Sequence, residues 1–268
     1  MNDVAQAVRR ALEEDIGTGD VTSQACVPAD RRATGLFLAR QHLVLAGTEV
    51  LPHMYDQLHL RKHDGDEVRD GETIAEVRGQ ARRLLECERT ALNFLQRLSG
   101  VATLARAFVE QVKGTRCKVL DTRKTTPGLR MLEKNAAAAG GVTNHRKGLY
   151  DAILIKNNHI AAAGGISRAL KNARAASQLS IEIEVRTRAE LREALDFGAT
   201  SLLLDNLSPQ EAADWIREIA GRATVEISGG ITLQNVRAYA ETGANFVSSG
   251  AITHSAPAVD ISFRLELL

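Results

Sequence analysis

From about residue 118 onward, short β-branched or leucine-rich runs alternate with helix-length segments, and this alternation restricts the possible folds more than any other feature of the chain. The runs are Val119-Leu120 and residues 152–155, 181–185, 201–204, 224–227 and 245–247. Two parallel strands must be joined by a crossover of a dozen or more residues, usually a helix, so this spacing implies parallel βαβ units. Helix start signals set the phase. Thr187 with Glu190 forms a capping box, and Ser208-Pro209 with Glu211 combines an N-cap, a first-turn proline and an acid at the third helical position. Both fall just after a strand, where a crossover helix begins.

The first hundred residues follow a different rhythm and read as mixed α+β. Residues 3–14 have helical apolar spacing, 33–39 reads as a strand and 47–58 as a helix. Glu67-Val68 and residues 73–77 read as short strands around the Asp70-Gly71 turn, and 84–98 carries a helical apolar stripe. Residues 258–268 alternate Ile261, Phe263, Leu265 and Leu267 with Ser262, Arg264 and Glu266, which is the period of a half-buried strand. That strand either pairs back onto the N-terminal layer or forms an edge of the later sheet. A chain of 268 residues can bury the core of one large α/β domain or of two smaller ones.

Chemistry concentrates where each parallel strand ends. Lys156 follows Ile153-Leu154-Ile155, Glu184 lies within residues 181–185, and Asp205 follows Leu202-Leu203-Leu204. Ser228-Gly229-Gly230 and Ser249-Gly250 each follow a further run. The C-terminal ends of parallel strands are where α/β barrels and open sheets place their sites.

The segment from Asp121 to His159 is strongly basic, although Lys plus Arg at 34 nearly balances Asp plus Glu at 33. So local a cluster suits a multiply anionic small molecule, because arginine offers a planar fork to carboxylates and lysine a point charge to phosphate. Arg123, Lys124 and Lys156 are the leading candidates, against the ordinary reading of such residues as surface charges. Glu184 and Asp205 are suited to Mg2+ through waters, to hydroxyls or to a developing cation, or else to plain salt bridges. Each Ser-Gly turn alone is a weak signal; two in successive units suit a phosphate held by backbone N–H groups. His145 reads equally as a carboxylate partner and as a satisfied core histidine. His59 and His63 read as exposed loop residues and not as metal ligands. Arg89, beside Glu86 and Glu88, reads from its neighbours as a surface ion pair.

Several classes are disfavoured. The weak net charge and the lack of interleaved aromatics argue against nucleic-acid binding. Cys26, Cys87 and Cys117 are odd in number and widely spaced, which suits reduced thiols. The polar, amphipathic start and the lack of any apolar run of membrane-spanning length predict a cytoplasmic protein without a membrane segment.

The run Asp121-Thr122-Arg123-Lys124-Thr125-Thr126-Pro127-Gly128-Leu129-Arg130 resembles the quinolinate phosphoribosyltransferase family. Further blocks agree in order: residues 14–22, 88–93, 144–146, 154–159, 182–185, 204–206 and 226–231. The resemblance implies a fold of class α/β, with an N-terminal α/β sandwich over residues 1–110 completed by a C-terminal strand at 256–268. An open (β/α) barrel of fewer than eight strands would occupy 111–255. It also implies phosphoribosyl transfer from phosphoribosyl pyrophosphate to quinolinate with decarboxylation, giving nicotinate mononucleotide, CO2 and pyrophosphate in the presence of Mg2+.

By the same resemblance, Arg123, His145, Arg146 and Lys156 hold quinolinate, while Lys124 and Lys156 reach the pyrophosphate. Glu184 and Asp205 contact ribose hydroxyls or Mg2+, and Ser228, Gly229, Gly230, Ser249 and Gly250 take the 5'-phosphate, with Thr122 and Ala251 completing the substrate-binding set. Arg89 is implied to enter the active site of a neighbouring subunit, which reverses its surface reading and makes the working unit a homodimer or higher oligomer. A non-carboxylating relative associated with molybdenum-transport operons shares the core motif; Arg89, His145 and Arg146 favour the quinolinate enzyme. A barrel aldolase with Lys156 as its Schiff-base residue is a third enzyme reading.

Overall fold

The computed structural model describes residues 3–268, which divide into two compact units. The first takes residues up to 106 together with 125–141 and 252–268; the second takes 107–124 and 142–251. Residues 125–141 thus cluster with the N-terminal sequence, away from the segments on either side of them.

In the first unit, α1 (Asp3–Ile16) buries Val4, Ala7 and Val8 at helical spacing. Gly17 and Gly19 follow with φ of +53° and +133°, so the chain turns where side-chain-bearing residues are strained. Asp20 then caps a short helix, α2 (Val21–Cys26), by accepting from the Ser23 N–H at 2.9 Å. The sheet of this unit has the order β12-β1-β5-β3, from β1 (Arg32–Ala39), β3 (Gln57–Leu60), β5 (Thr73–Gln80) and β12 (Ile261–Leu267). The pair β2 (Leu43–Val44) and β4 (Glu67–Val68) forms a separate ribbon.

β12 pairs antiparallel with β1, placing Phe263 opposite Phe37 with ring centroids 4.9 Å apart. This decides between the two expected partners of the C-terminal strand in favour of the N-terminal layer. The helix expected over 47–58 is only a 3-10 turn, Thr48–His53. Pro52 has no N–H to extend an α ladder, and β3 claims the chain from Gln57. His59 accordingly lies in a strand, not in a loop.

α3 (Ala81–Val112) runs well beyond the expected 84–98, passing straight through Gly100. There glycine marks a close approach and not a stop: a Cβ at Gly100 would lie 2.1 Å from the Pro257 carbonyl oxygen. Beyond it Val101, Ala102, Ala105 and Phe108 continue the buried face. α4 (Arg130–Ala139) completes the first unit.

The second unit is an open parallel sheet of six strands in the order β6-β11-β10-β9-β8-β7. The strands are β6 (Lys118–Leu120), β7 (Ile153–Ile155), β8 (Ile181–Val185), β9 (Ser201–Asp205), β10 (Thr224–Ser228) and β11 (Phe246–Ser248). All six coincide with the expected runs to within a residue or two. β6 and β7 are the two edges, as an open barrel of fewer than eight strands requires.

Between the strands run α5 (Asn157–Ala163), α6 (Ile166–Ala176), α7 (Arg188–Asp196), α8 (Pro209–Ile219) and α9 (Val236–Ala240), and α10 (Ala251–His254) follows β11. The caps read from the sequence form: Thr187 Oγ1 accepts from the Glu190 N–H at 3.1 Å, and Glu211 Oε2 accepts from the Ser208 N–H at 2.9 Å. Leu202, Leu203 and Leu204 are all buried although adjacent side chains point to opposite faces, so β9 is covered on both sides. Burying each such side chain contributes about 2 kcal/mol.

Candidate active site

The parallel register carries the polar groups to one end of the sheet. Asp121, Arg123 and Lys124 follow β6, and Lys156 is the residue immediately after β7. Glu184 is the penultimate residue of β8, and Asp205 and Ser228 are the last residues of β9 and β10. Ser249 and Gly250 follow β11, and Ala251 opens α10. Asp205 and Ser228 pair directly across the ladder. The placement at C-terminal strand ends expected from the sequence is therefore realised in all five strands for which it was made, and the end of β6 adds Asp121, Arg123 and Lys124.

Asp121, fully buried, organises the basic segment by accepting from the His145 N–H at 2.7 Å. A parallel bridge between Leu120 and Thr143 brings the two stretches together. Thr122 Oγ1 accepts from the Lys124 N–H at 3.1 Å, curling the chain so that Lys124 is exposed. Arg123 is half-buried, and its Nε is a buried donor that meets no acceptor among the described residues. A buried donor of this kind costs about 1–3 kcal/mol unless something accepts from it, so Arg123 can take an added acceptor at no loss of an existing bond from Nε.

Arg146 donates from Nη1 to the Ala152 carbonyl at 3.2 Å. Burial, and then the charge of Arg123, push the Arg146 guanidinium below its ordinary range, so two like charges are gathered in one place. Lys156 Nζ lies 3.3 Å from Glu184 Oε2, with the lysine half-exposed and the carboxylate buried. The salt-bridge reading of Glu184 is thus realised, and the bridge holds the lysine at the strand ends. His159 Nδ1 accepts from the Lys156 N–H at 2.9 Å, fixing the turn into α5.

Asp205 Oδ2 accepts from the Asn206 amide at 2.7 Å, and Asn206 adopts φ of +59°. Its neighbour Gly229, at φ +95°, has no room for a side chain: a Cβ would lie 2.3 Å from Asn206 Oδ1. The Ser228-Gly229-Gly230 turn is therefore packed on the end of β9. Ser249 Oγ donates to the Ile231 carbonyl at 2.7 Å, joining the second glycine turn to the first.

Sequence reasoning missed the acids beneath this layer. His145 Nε2 stands 3.4 Å from Glu182 Oε2 and 3.4 Å from Glu226 Oε2, and its Nδ1 accepts from the Arg146 N–H at 2.7 Å. Burial opposes a charge on His145, but the hydrogen bonds to Glu182 and Glu226 outweigh it and raise its pKa to about 9. Burial likewise raises Glu226, against the pull of His145. Both directions mean that the cluster keeps one proton at neutral pH. A doubly protonated ring could not accept the Arg146 N–H at Nδ1, so the geometry places the shared proton on the Glu226 side. The signal was present in the sequence as two acids, Glu182 and Glu184, on one face of β8.

Arg89 lies exposed on α3 and makes no salt bridge among the described residues, Glu86 being paired with Arg83 at 2.8 Å. Its expected surface ion pair is thus not formed with Glu86.

A model of the quinolinate phosphoribosyl transferase C-terminal domain matches residues 101–264, and one of the N-terminal domain of the same family matches residues 20–99. A probable nicotinate-nucleotide pyrophosphorylase (carboxylating) of Bacillus subtilis is 44% identical over 262 residues, covering 95% of this chain and 90% of its own length. A protein of the same description from Mycobacterium leprae is 41% identical, covering 96% of this chain and 95% of its own. The solved nicotinate-nucleotide pyrophosphorylase of Francisella tularensis superposes with a TM-score of 0.95 at 37% identity, covering 99% of this chain and 96% of that one. With both family domains matched in order and relatives aligned nearly end to end, the chain belongs to the quinolinate phosphoribosyl transferase family.

Proposed function

We propose that this chain transfers the phosphoribosyl group of phosphoribosyl pyrophosphate to quinolinate and releases CO2, forming nicotinate mononucleotide and pyrophosphate for NAD biosynthesis. The observation that carries this reading is the gathering of Arg123, Lys124, Arg146 and Lys156 with Glu184 and Asp205 at the C-terminal strand ends of one parallel sheet. Quinolinate brings two carboxylates and the ribosyl donor brings phosphate and pyrophosphate, so the substrates together need both cation types.

Arg123, with its unmatched Nε, and Arg146 take the carboxylates, and Lys124 and Lys156 face the pyrophosphate. The glycine turns after β10 and β11 receive the 5'-phosphate through backbone N–H groups. The pyridine nitrogen donates its electron pair to C1 of the ribose as the C1–O bond breaks and pyrophosphate departs with that bond's electrons. Glu184 and Asp205 stabilise the positive charge that develops at C1. The electron pair of the breaking bond to the C2 carboxylate is left on C2, where the positive charge of the quaternised nitrogen beside it stabilises it; CO2 leaves and C2 takes up a proton. No covalent bond to the protein forms, so the protein contributes alignment and charge placement.

Glu184 and Asp205 offer hard carboxylate oxygens from neighbouring strands, a donor set suited to Mg2+ that keeps several waters. When bound there, Mg2+ supplies charge neutralisation for the pyrophosphate. The exposed Arg89 is assigned to the site of a second copy, making the working form at least a dimer. No described helix is long and apolar enough to cross a membrane; a cytoplasmic location belongs to the same proposal. Incubation with quinolinate, phosphoribosyl pyrophosphate and Mg2+ tests the reading: nicotinate mononucleotide and CO2 are expected, and a folded protein that forms neither overturns it.

A further inference from the structure

Glu182 and Glu226 have no part in the roles assigned above, yet their contacts with His145 lead directly to Arg146. We infer that Glu182 and Glu226 are positioning residues, which clamp the His145 imidazole between β8 and β10 so that its Nδ1 fixes the Arg146 peptide and aims the Arg146 guanidinium at a substrate carboxylate. This inference rests on the dicarboxylate reading of Arg146.

The connections are short and continuous. Glu182 and Glu226 each bring Oε2 to 3.4 Å from Nε2, and Arg146 N–H reaches Nδ1 at 2.7 Å. Asp121 takes the His145 N–H at 2.7 Å, so the backbone entering residue 145 is held from one side and the peptide leaving it from the other. Both nitrogens of the ring are thus engaged within the protein, and through Nδ1 the ring acts on Arg146.

Energetics favour this arrangement over a stray acidic cluster. Glu226 is 4% exposed and Glu182 lies beside it, so carboxylates this deep are tolerated only with a partner. The charged groups that meet His145 come from several elements: Glu182 from β8, Glu226 from β10, Asp121 after β6 and Arg146 beside it. Arg146 stands near the like charge of Arg123, and Glu182 offsets part of that repulsion. The acids therefore hold Arg146 twice, through the ring and through its charge.

The test compares Glu226→Leu, Glu226→Gln and Glu182→Gln with the wild-type protein by calorimetric binding of quinolinate and of phosphoribosyl pyrophosphate separately. For Glu226→Leu, quinolinate affinity is expected to fall roughly 10- to 100-fold, by analogy with the loss of a hydrogen-bond partner that orients a metal ligand, with donor affinity unchanged within about twofold. Glu226→Gln, which keeps an acceptor for Nε2–H, is expected to recover much of the loss.

A folded Glu226→Leu that binds quinolinate like the wild type, or one that loses both substrates equally, overturns the inference. Histidine-labelled nitrogen NMR of the wild-type protein decides the matter even if no variant folds. His145 is expected to show one fixed tautomer with the proton on Nε2, and a freely exchanging ring that titrates near the ordinary histidine value of about 6.5 refutes the clamp. Wild-type protein that binds no quinolinate while showing the fixed tautomer would instead reject the dicarboxylate reading and leave the clamp standing.

Discussion

Glu133 and Thr126 are joined twice: the fully buried carboxylate accepts from the Thr126 N–H at 2.9 Å and from its hydroxyl at 2.7 Å. The same carboxylate takes Arg97 Nη2 at 2.9 Å and Nε at 3.2 Å, and Arg97 also donates to the Thr253 and Ala256 carbonyls. One buried acid thereby links α3, the turn before α4 and the chain leading to β12. Glu133→Ala would strand a guanidinium and two threonine donors, at a cost of about 3 kcal/mol. Urea unfolding of the variant should show that loss with a recognisably cooperative transition, and a change below about 0.5 kcal/mol would contradict the network's importance.

Gly100→Ala addresses the close approach in the first unit. Its added methyl would sit 2.1 Å from the Pro257 carbonyl oxygen and 3.2 Å from the Ala258 Cα, both backbone atoms that cannot rotate away. Alanine normally stabilises a helix interior relative to glycine by up to about 1 kcal/mol. Here overpacking wins, and the expected net loss is about 2 kcal/mol. Gly71→Ala is a useful contrast: it meets nothing within 4 Å, so its penalty comes only from a φ of +81°. Thermal melts should rank the two in that order.

Stability should fall on the alkaline side of neutrality. The cluster of His145 with Glu182 and Glu226 gives up its extra proton at about 9 in the folded chain, whereas the unfolded imidazole does so near 6.5, so between those values the folded state holds a proton that the unfolded state has lost. The contribution is complete below about pH 6.5 and gone above about pH 9, with a slope of at most about 1.4 kcal/mol per pH unit. Above pH 9 the buried thiols of Cys87 and Cys117, raised by burial to about 11 and about 12, continue the decline. Denaturation midpoints across pH 6 to 10 would show it, and His145→Gln should flatten the portion between about pH 7 and 9.

The second unit was readable from sequence because each parallel strand is a compact apolar run closed by one polar residue, as in Leu202-Leu203-Leu204-Asp205. The caps at Thr187 and Ser208 were readable for the same local reason. What escaped was non-local. Gly100 resembles a helix stop unless one knows that Pro257 crosses it, and Glu182 and Glu226 resemble solvated charges unless one knows that His145 lies between them. Pro52 was a local signal, lack of an N–H, that the apolar spacing of 47–58 masked.

Arg123→Ala separates the two substrates. Its Nε is a buried donor awaiting an acceptor, and a planar dicarboxylate matches the guanidinium fork better than the ribosyl donor does. Removing it should weaken quinolinate binding by roughly 100-fold or more while changing donor binding by about threefold at most. Isothermal titration with each substrate alone measures both effects, and equal losses would assign Arg123 to the phosphate side.

Arg89 offers a test that needs two inactive proteins. It is exposed on α3, without a salt bridge among the described residues, and is assigned to a neighbour's site, whereas Lys156 serves its own sheet through Glu184 at 3.3 Å. Arg89→Ala and Lys156→Ala should each abolish most activity alone. In a mixed dimer of the two, one site carries both substitutions and the other carries neither. Random reassociation of equal amounts makes half of the dimers mixed, so activity should return to about one quarter of the wild-type value. If both residues served the same chain's site, every site in the mixture would carry a substitution and none would recover. Activity that stays at the level of the separate variants, after exchange of subunits has been verified by mass, would place Arg89 outside its neighbour's site.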